Sequence, residues 1–334
     1  MSDNTVAVLG GGSWGTTVAS LISRNRPVTL WARNPATVNA INEHHRNDTY
    51  LPGAVLPDKL RATNHVEEAV GNASLVVMGI PSQHFRGVLE DAQPHVRPGT
   101  PVISLTKGLE LTTRMRMSQV IADVLPDHPG GVLTGPNLAR EISAGQVAAS
   151  VIAMEDEQLV QELQGVFKTP LFRVYTNTDV IGCELGGVLK NIIAIAVGMG
   201  DGQGAGDNTR SALITRGLAE ITRLGVAMGG RAETFAGLAG MGDLIATCIS
   251  PQSRNHHVGV QLGKGRNIRD IINEMVMVAE GVKSAPAVIA LAETYGVEMP
   301  IVRDVQRVIA GDATASRAFR GILRVEFGAE SDPG

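Results

Sequence analysis

The segment Thr5-Val-Ala-Val-Leu-Gly-Gly-Gly-Ser-Trp-Gly15 decides the fold of this 334-residue chain. A short strand-forming run leads directly into glycines with the spacing G-x-G-x-x-G, at Gly10, Gly12 and Gly15. The first glycine of this pattern makes a tight turn, the second lets the backbone approach a pyrophosphate, and the third lets helix and strand pack closely. Because the motif follows a strand and opens a helix, it predicts a Rossmann-like unit that binds a dinucleotide.

Residues around this turn predict which dinucleotide binds. Ser13 and Trp14 lie on the turn itself, where backbone N–H groups would face the phosphates. The second predicted strand ends in Trp31-Ala-Arg-Asn34, without the acidic residue that commonly binds the ribose 2′-hydroxyl of NAD. Arg33 would instead bind a 2′-phosphate, so the sequence favours NADP(H) and leaves NAD(H) possible. The alternative is an exposed arginine over the adenine.

Short aliphatic strands alternate with helical segments through the first half of the chain. This alternation predicts a parallel, doubly wound sheet. The predicted strands are Thr5–Leu9, Val28–Trp31, 75–79, 102–105, 132–134, 147–154 and 171–175. From about Val180 onward the apolar periods are almost all helical. We therefore expect an α/β protein with a Rossmann-like domain at 1–178, an all-helical substrate and catalytic domain at 179–327, and a flexible tail at 328–334.

Composition excludes several classes of partner. A net charge of −4 and an aromatic content of 3% argue against nucleic-acid binding, which usually needs a basic surface and often stacking rings. Uncharged apolar runs stay well short of the ~18 residues that a membrane span needs, and the start of the chain leaves no room for a leader.

Two cysteines fit a reducing cytoplasm. Zinc binding by Cys248, His256 and His257 matches none of the usual spacings, so we expect no metal.

Lys190 is the main candidate for the chemistry. It lies in Ile181-Gly-Cys-Glu-Leu-Gly-Gly-Val-Leu-Lys-Asn-Ile-Ile-Ala-Ile-Ala-Val197, which otherwise reads as a helix buried nearly all round. Burial disfavours the charged form of a lysine and lowers its pKa, which makes it a possible proton donor and acceptor near neutral pH. Gly186 and Gly187 share its face of the helix, so a small substrate could fit beside the amine. The alternative is a lysine whose head reaches solvent.

Three other clusters are expected to join Lys190. Lys107 follows a strand and therefore lies at the ligand-binding edge of the sheet, unless it is a solvated loop lysine. Asp243 follows a glycine-rich turn, with Thr247 one helical turn later; the alternative role of Asp243 is that of a helix N-cap. Ser253-Arg-Asn255 offers a hydroxyl, a guanidinium and an amide that suit a phosphate. Together these residues predict a cationic pocket for a phosphorylated substrate.

Several ordered motifs resemble the NAD(P)-dependent sn-glycerol-3-phosphate dehydrogenase family, bacterial type. The resemblance extends to about Arg324 and rests on the opening glycines and on the following segments: Gly186-Gly-Val-Leu-Lys-Asn191, Asn208-Thr-Arg-Ser-Ala-Leu-Ile-Thr-Arg-Gly217, Gly237-Leu-Ala-Gly-Met-Gly-Asp-Leu244, Ser253-Arg-Asn255 and Glu280-Gly281. It implies interconversion of sn-glycerol 3-phosphate and dihydroxyacetone phosphate, a supply of glycerol 3-phosphate for phospholipids, and a homodimer.

The resemblance also implies roles for individual residues. Lys190 would transfer the proton, with Asp243 and Thr247 orienting it and Lys107 steadying the substrate oxygens. The substrate-binding residues would be Lys107, Gly135, Asn137, Lys190, Asn191, Asp243, Ser253, Arg254 and Asn255. The cofactor would contact Ser13, Trp14, Arg33, Lys107, Ala139, Arg254, Val278 and Glu280. Asn137 stands where some members of the family have Ser or Thr, which weakens the expectation of a side-chain contact there.

Two other functions fit parts of the pattern. A dehydrogenase of 3-hydroxy acids or of 6-phosphogluconate also joins a Rossmann domain to helices and uses a helix lysine, but the Gly-Asp-Leu and Ser-Arg-Asn segments speak against it. A non-catalytic NADP(H)-binding redox sensor would use Lys190 only as a buried ion-pair partner. Such a sensor would bind the cofactor without oxidising it when dihydroxyacetone phosphate is added.

Overall fold

The computed structural model of the protein describes residues 4–275 and 279–322. Contacts divide the chain into two compact units. The first unit runs to Glu110 and continues from Met115 to Val180, and the second comprises Leu111–Arg114 and the chain from Ile181 onward. The first unit is built on a sheet, whereas no strand follows Asn177 within the described residues of the second unit.

An eight-stranded sheet forms the first unit, with the order β3-β2-β1-β4-β5-β6-β7-β8. The strands are β1 Thr5–Leu9, β2 Val28–Trp31, β3 Arg61–Thr63, β4 Ala73–Met78, β5 Val102–Ser104, β6 Gly130–Thr134, β7 Ala148–Met154 and β8 Phe172–Asn177. The pairs from β3 to β6 are parallel, β6 and β7 are antiparallel, and β7 and β8 are parallel again. The predicted doubly wound sheet is therefore confirmed, except that β6 and β7 are antiparallel where the sequence predicted parallel strands.

Seven of the eight strands correspond to predicted ones, and the prediction missed β3. This strand has only three residues, Arg61-Ala-Thr63, and lies at the edge of the sheet. Arg61 is exposed, so the segment lacks the aliphatic run that marks the other strands. It pairs with β2 through Thr29, Leu30 and Trp31, and extends the sheet beyond the second strand.

Helices cover both faces of the sheet, which is why its strands read as almost continuous apolar runs. The helices are α1 Ser13–Ile22, α2 Pro35–His44, α3 Val66–Val70, α4 Ser82–Ala92, α5 Met117–Val124, α6 Ala139–Ser143 and α7 Glu157–Phe167. Alternate residues of β1 enter different cores: Val6 and Val8 belong to a cluster with Phe167, and Ala7 and Leu9 to one with Phe85. The carboxyl ends of the parallel strands thus form one rigid edge.

The second unit is helical. Its helices are α8 Val180–Gly202, α9 Asp207–Ala227, α10 Ala232–Ala236, α11 Asp243–Ile249, α12 Arg254–Gly263, α13 Ile268–Asn273, α14 Glu280–Thr294, α15 Pro300–Ala310 and α16 Ala315–Ile322. A π-helical turn, Leu238–Gly242, leads directly into α11. By length and composition α8 would be able to cross a membrane, but 94% of its apolar window is buried inside the protein, as in a core helix.

Glycines let α8 and α12 touch through their backbones. A Cβ added to Gly198 would lie 2.2 Å from the carbonyl oxygen of His256, and one added to Gly202 would lie 2.3 Å from that of Val260. Gly259 and Gly263 on α12 face them, with Cβ positions 2.2 and 2.4 Å from α8 carbonyl oxygens. The main chains of the two helices therefore set the distance between them. We call these four glycines the glycine seam.

Candidate active site

The turn between β1 and α1 uses each of its motif glycines differently. Gly10 has a φ of +127°, and a Cβ there would lie 2.4 Å from the carbonyl oxygen of Gly79. A Cβ on Gly15 would lie 2.0 Å from the carbonyl oxygen of Gly10, so the helix can start only if this residue is glycine. No described atom lies within 4 Å of a Cβ built at Gly12. The turn thus leaves its Gly12 side open to a bulky anionic group at the helix N-terminus.

Asn47 stabilises this turn from the segment after α2. Its buried amide donates to the carbonyl oxygen of Gly11 and to the hydroxyl of Thr16, both at 2.8 Å. These two bonds join the turn and the first helix to a segment more than thirty residues away. The sequence carried no signal for this contact, because an isolated asparagine outside any motif has no predicted partner.

Trp14 and Ser13 begin α1 on the same turn. The Trp14 ring meets Phe172 of β8 edge to face at 6.3 Å between centroids, and its indole nitrogen is buried without a hydrogen-bond partner among the described atoms. Arg33 comes two residues after β2 and is exposed. Ala139 opens α6, a helix that packs on α1. These residues therefore cluster around the carboxyl edge of the sheet, as the motif requires.

Lys107 lies on the loop after β5, at the same edge of the sheet. Its Nζ donates to the carbonyl oxygen of Gly135 at 2.8 Å and so joins the ends of β5 and β6. Gly135 has a φ of +130°, and a Cβ there would lie 3.3 Å from the Cα of Ser150. The lysine is thus held within the ligand-binding edge and does not extend freely into solvent.

Asn137 is oriented by a chain of hydrogen bonds. The hydroxyl of Ser150 donates to the carbonyl oxygen of Thr134 at 2.7 Å. Since that hydroxyl has one proton, it accepts from the Asn137 amide nitrogen, at 3.1 Å. Asn137 Oδ1 is buried without a partner among the described atoms. The side chain therefore presents an acceptor, where a Ser or Thr would present a hydroxyl.

Lys190 lies at the centre of the second unit's polar cluster. The residue is 5% exposed, and its Nζ lies 2.8 Å from Asp243 Oδ1. The Thr247 hydroxyl accepts a hydrogen bond from Nζ and donates its own proton to the Asp243 backbone carbonyl at 2.6 Å. Asp243 and Thr247 thus fix the position of the amine from one turn of α11. The alternative with a solvent-exposed head is excluded by this burial.

Two details of this cluster correct the sequence-based expectations. Asp243 is the first residue of α11, and Gly242 occupies the N-cap position, so the aspartate is an ion-pair partner and not the cap. A Cβ on Gly186 would lie 2.6 Å from the carbonyl oxygen of Ala239. The glycine face of α8 at that position is therefore filled by the backbone of the π-helical turn, and the expected space for substrate beside Gly186 does not exist.

Asn191, the residue after Lys190, forms a hydrogen bond with Asn255. Asn255 Nδ2 donates to Asn191 Oδ1 at 2.9 Å, and Asn255 Oδ1 accepts from the backbone N–H of Gly281 at 3.0 Å. Asn191 Nδ2 donates to the carbonyl oxygen of Gly187 at 3.3 Å. The two amides therefore join α8, α12 and the start of α14. Asn255 uses both ends of its side chain for this purpose.

Ser253 and Arg254 lie at the start of α12. The Ser253 hydroxyl accepts from the backbone N–H of His256 at 3.2 Å and so caps the helix. Arg254 is the first helical residue and is exposed. Glu280 opens α14 and is half-buried, and Val278 lies outside the described residues. The Ser-Arg-Asn segment is thus a helix N-terminus, a position that favours anions.

His256 belongs to a polar network with Asp201 and Arg210. Its Nε2 lies 2.7 Å from Asp201 Oδ2, and Arg210 donates to Asp201 Oδ1 at 3.0 and 3.1 Å. The network ties α12 to α8 and α9 just beyond the Ser-Arg-Asn segment. Burial raises the pKa of the Cys248 thiol to about 12, which keeps this neighbour of Thr247 neutral. Among residues 4–275 and 279–322, no cluster of His, Cys, Asp and Glu side chains is arranged for a metal ion.

Comparisons with known proteins agree across the chain. Residues 5–160 match the model of the NAD-dependent glycerol-3-phosphate dehydrogenase N-terminus, and residues 179–320 match that of its C-terminus. The chain is 66% identical to a glycerol-3-phosphate dehydrogenase [NAD(P)+] from Sphingopyxis alaskensis, over 98% of this chain and 99% of that protein. It is 54% identical to one from Mycobacterium avium, over 97% and 95% of the two chains.

A solved structure gives the same result for the fold. The crystal structure of glycerol-3-phosphate dehydrogenase from Coxiella burnetii superposes with a TM-score of 0.92. Its sequence is 35% identical, and the match covers 97% of this chain and 100% of that chain.

Proposed function

This chain belongs to the NAD-dependent glycerol-3-phosphate dehydrogenase family, and on that premise we propose that it reduces dihydroxyacetone phosphate to sn-glycerol 3-phosphate, and catalyses the reverse reaction, with Lys190 moving the proton. As a member of the family it is an NAD(P)-dependent oxidoreductase that acts on a small phosphorylated molecule. The observation that carries the residue assignment is the buried amine of Lys190, held between Asp243 and Thr247.

The first unit has the features needed to hold the dinucleotide. The Gly12 side of the turn is open, and the N-terminus of α1 favours a pyrophosphate there. Arg33 is exposed just after β2, where it can meet a ribose 2′-phosphate, so we propose a preference for NADP(H) with NAD(H) also accepted. Ala139 and Lys107 border the same edge, and the family resemblance adds Glu280 and Val278 as proposed contacts of the cofactor. When bound, the reduced nicotinamide supplies the hydride.

Lys190 supplies the proton. In the reducing direction its ammonium donates a proton to the ketone oxygen as the carbonyl carbon gains the hydride, and in the oxidising direction the amine removes the hydroxyl proton. The adjacent carboxylate of Asp243 favours the ammonium form. The Thr247 hydroxyl accepts a hydrogen bond from one N–H of the ammonium and so orients its other N–H groups. Lys107 steadies the substrate oxygens with Gly135 and Asn137. Both roles depend on lysine amines that are already held in position before the substrate binds.

The helix N-terminus at Ser253-Arg-Asn255 is the proposed site of the substrate phosphate. Arg254 can offer a guanidinium fork, and the first turn of α12 adds backbone N–H groups and the positive end of the helix dipole. Asn255 and Asn191 are bonded to one another, so their contribution is to hold this turn beside the helix that carries Lys190. The set is cationic, which suits a phosphate monoester.

The family resemblance also supports proposals about the domains, the assembly and the biological role of the protein. We propose that residues 1–178 act as the cofactor domain and 179–327 as the catalytic domain, that the enzyme is a cytoplasmic homodimer, and that its product supplies phospholipid synthesis. Sedimentation velocity tests the dimer directly, since a monomer at micromolar concentration contradicts it.

One assay tests the central claim. NADPH absorbance should fall when dihydroxyacetone phosphate is added to the enzyme, and more slowly with NADH. A panel including a 3-hydroxy acid and 6-phosphogluconate should give no comparable rate. Lys190→Ala should lower kcat by ~10²–10⁴ because the general acid is lost, while NADPH binding is retained. Unimpaired turnover in this variant contradicts the assignment, and cofactor binding without any oxidation in the wild type would indicate a sensor.

A further inference from the structure

The backbone around Lys107 is held on both sides of the lysine. Before it, the Thr106 hydroxyl donates to the carbonyl oxygen of Ile80 at 2.6 Å. After it, the Gln83 amide donates to the carbonyl oxygen of Leu109 at 3.2 Å. The loop is therefore bonded at the end of β4 and at the first turn of α4. Neither bond by itself fixes the direction in which the loop leaves the sheet.

An ion pair adds a further constraint on the loop. Arg86, one turn after Gln83 on α4, makes a two-pronged contact with Glu110: Nε lies 2.8 Å from Oε1, and Nη2 lies 3.0 Å from Oε2. The Glu110 side chain is 10% exposed, and Glu110 N–H donates to the carbonyl oxygen of Met115 at 3.0 Å, which closes a turn over residues 110–115 directly after the loop. Arg86 Nη1 also reaches Asp123 Oδ2 of α5 at 2.5 Å.

This pair matters more for its geometry than for its energy. The Arg86 side chain is 26% exposed, so solvent screens part of the attraction and the pair adds only modestly to stability. A guanidinium fork on a carboxylate, however, permits one relative orientation of the two segments, which apolar contacts do not. Glu110 lies three residues after Lys107. The fork on Glu110 therefore constrains the backbone from which the lysine side chain extends.

We propose that Arg86 and Glu110 are positioning residues for the reaction: their fork holds the 105–110 loop so that Lys107 stays between the Gly135 carbonyl and the reacting ligands. The inference rests on the proposed role of Lys107 in the function above. Both residues act through the lysine. Arg86 also contacts Asp123, which joins α4 to α5.

A double-mutant cycle tests this coupling. Glu110→Gln removes the charge and leaves a side chain of the same shape, so we expect kcat/KM for dihydroxyacetone phosphate to fall about tenfold, with the melting temperature changed little. In a Lys107→Ala background, the same substitution should lower kcat/KM by less than about twofold, because the residue that it positions is already absent. Arg86→Lys keeps the charge but loses the fork, and should reproduce the loss.

Asp123→Asn is the matched control. It removes the other carboxylate of Arg86 without touching the loop, and should leave kcat/KM within about twofold of the wild type. Equal tenfold losses from Glu110→Gln in both backgrounds, or an equal loss in Asp123→Asn, would mean that the ion pair has only a general structural role and would overturn the proposal. If Glu110→Gln does not fold, Arg86→Lys replaces it in the cycle.

The Lys107→Ala variant separates two kinds of failure. Wild-type kcat/KM in that variant alone removes Lys107 from the proposed site, and the positioning role falls with it. A clear loss in Lys107→Ala, together with wild-type behaviour of Glu110→Gln and Arg86→Lys, overturns the positioning role and leaves the proposed function intact.

Discussion

Lys190 Nζ lies 2.8 Å from Asp243 Oδ1, and the two side chains are only 6% and 3% exposed. At that distance, with so little water near the pair, the carboxylate strongly favours the ammonium form. Burial alone would favour the neutral amine. The pair therefore sets the balance between the two protonation states on which the proton transfer proposed for Lys190 depends.

Replacing Asp243 should change the pH dependence of the reaction. In Asp243→Asn the ammonium loses its countercharge, so the alkaline fall in kcat for ketone reduction should move to lower pH, with kcat at pH 7 lowered about tenfold or more. The pH profile of kcat measures this. Asp207→Asn is a suitable control, because that carboxylate pairs with Arg210 and is 92% exposed. An unmoved alkaline limb in Asp243→Asn would separate the aspartate from the protonation of Lys190.

Arg33 should determine the choice of cofactor. Arg33→Ala should lower the affinity for NADPH by about 1.5–3 kcal/mol, the usual strength of a hydrogen bond to a charged group, and leave the affinity for NADH nearly unchanged. Fluorescence titration with both reduced cofactors gives the ratio. If the ratio of NADPH to NADH affinity is the same in the variant and the wild type, another residue discriminates between them.

The glycine seam should not tolerate a methyl group. Gly198→Ala places Cβ 2.2 Å from the backbone oxygen of His256, so α8 and α12 must separate, and we expect a loss of about 1–3 kcal/mol or more together with reduced turnover. The same substitution at Gly87, inside α4 and with no described atom within 4 Å of its Cβ position, should raise stability by about 0.5–1 kcal/mol. Thermal unfolding of both variants checks the opposite signs.

Glu220 should make stability depend on pH. The buried carboxylate accepts from the backbone N–H groups of Ile301 and Val302 at the start of α15. Burial raises its pKa from 4.5 to about 7, against the opposing effects of these bonds and of Arg223 and Arg216. The folded protein therefore keeps a proton that the unfolded chain releases. This contribution to stability is complete below pH 4.5 and is lost as the pH rises to about 7.

Glu220→Gln removes that titration. Whatever the pH-independent cost of the substitution, the free energy of unfolding of the variant relative to the wild type should increase by about 2–3 kcal/mol between pH 5 and pH 8. Urea unfolding at the two pH values gives the difference. A relative stability that is constant with pH would show that Glu220 has an ordinary pKa in the folded protein.

The sequence predicted the fold best where a complete motif lies within one short segment. The glycine turn after β1 predicts the Rossmann unit, because strand, turn and helix lie within a few residues of one another. The strand β3 was missed because three residues, one of them an exposed arginine, show no period. The antiparallel pairing of β6 with β7 was also not predicted, since a strand pattern carries no direction.

For the candidate site, the sequence predicted which residues come together better than it predicted the space and the contacts around them. Lys190, Asp243 and Thr247 were expected together, and the structure brings them together. The space expected beside Gly186 is filled by the Ala239 backbone, because a glycine in sequence does not reveal whether a ligand or another main chain approaches it. Contacts such as Asn255 with Asn191 join positions 64 residues apart and depend on packing that no local pattern encodes.

The glycine seam has a consequence for how this enzyme can vary. Because main-chain atoms of α8 and α12 meet there directly, the distance between these two helices along the seam is set by backbone contact and not by the size of side chains. Aliphatic residues elsewhere in the interior can be exchanged for larger or smaller ones, and that spacing should persist through such drift. Backbone contact thus protects the proposed arrangement of proton donor and phosphate site from ordinary mutation.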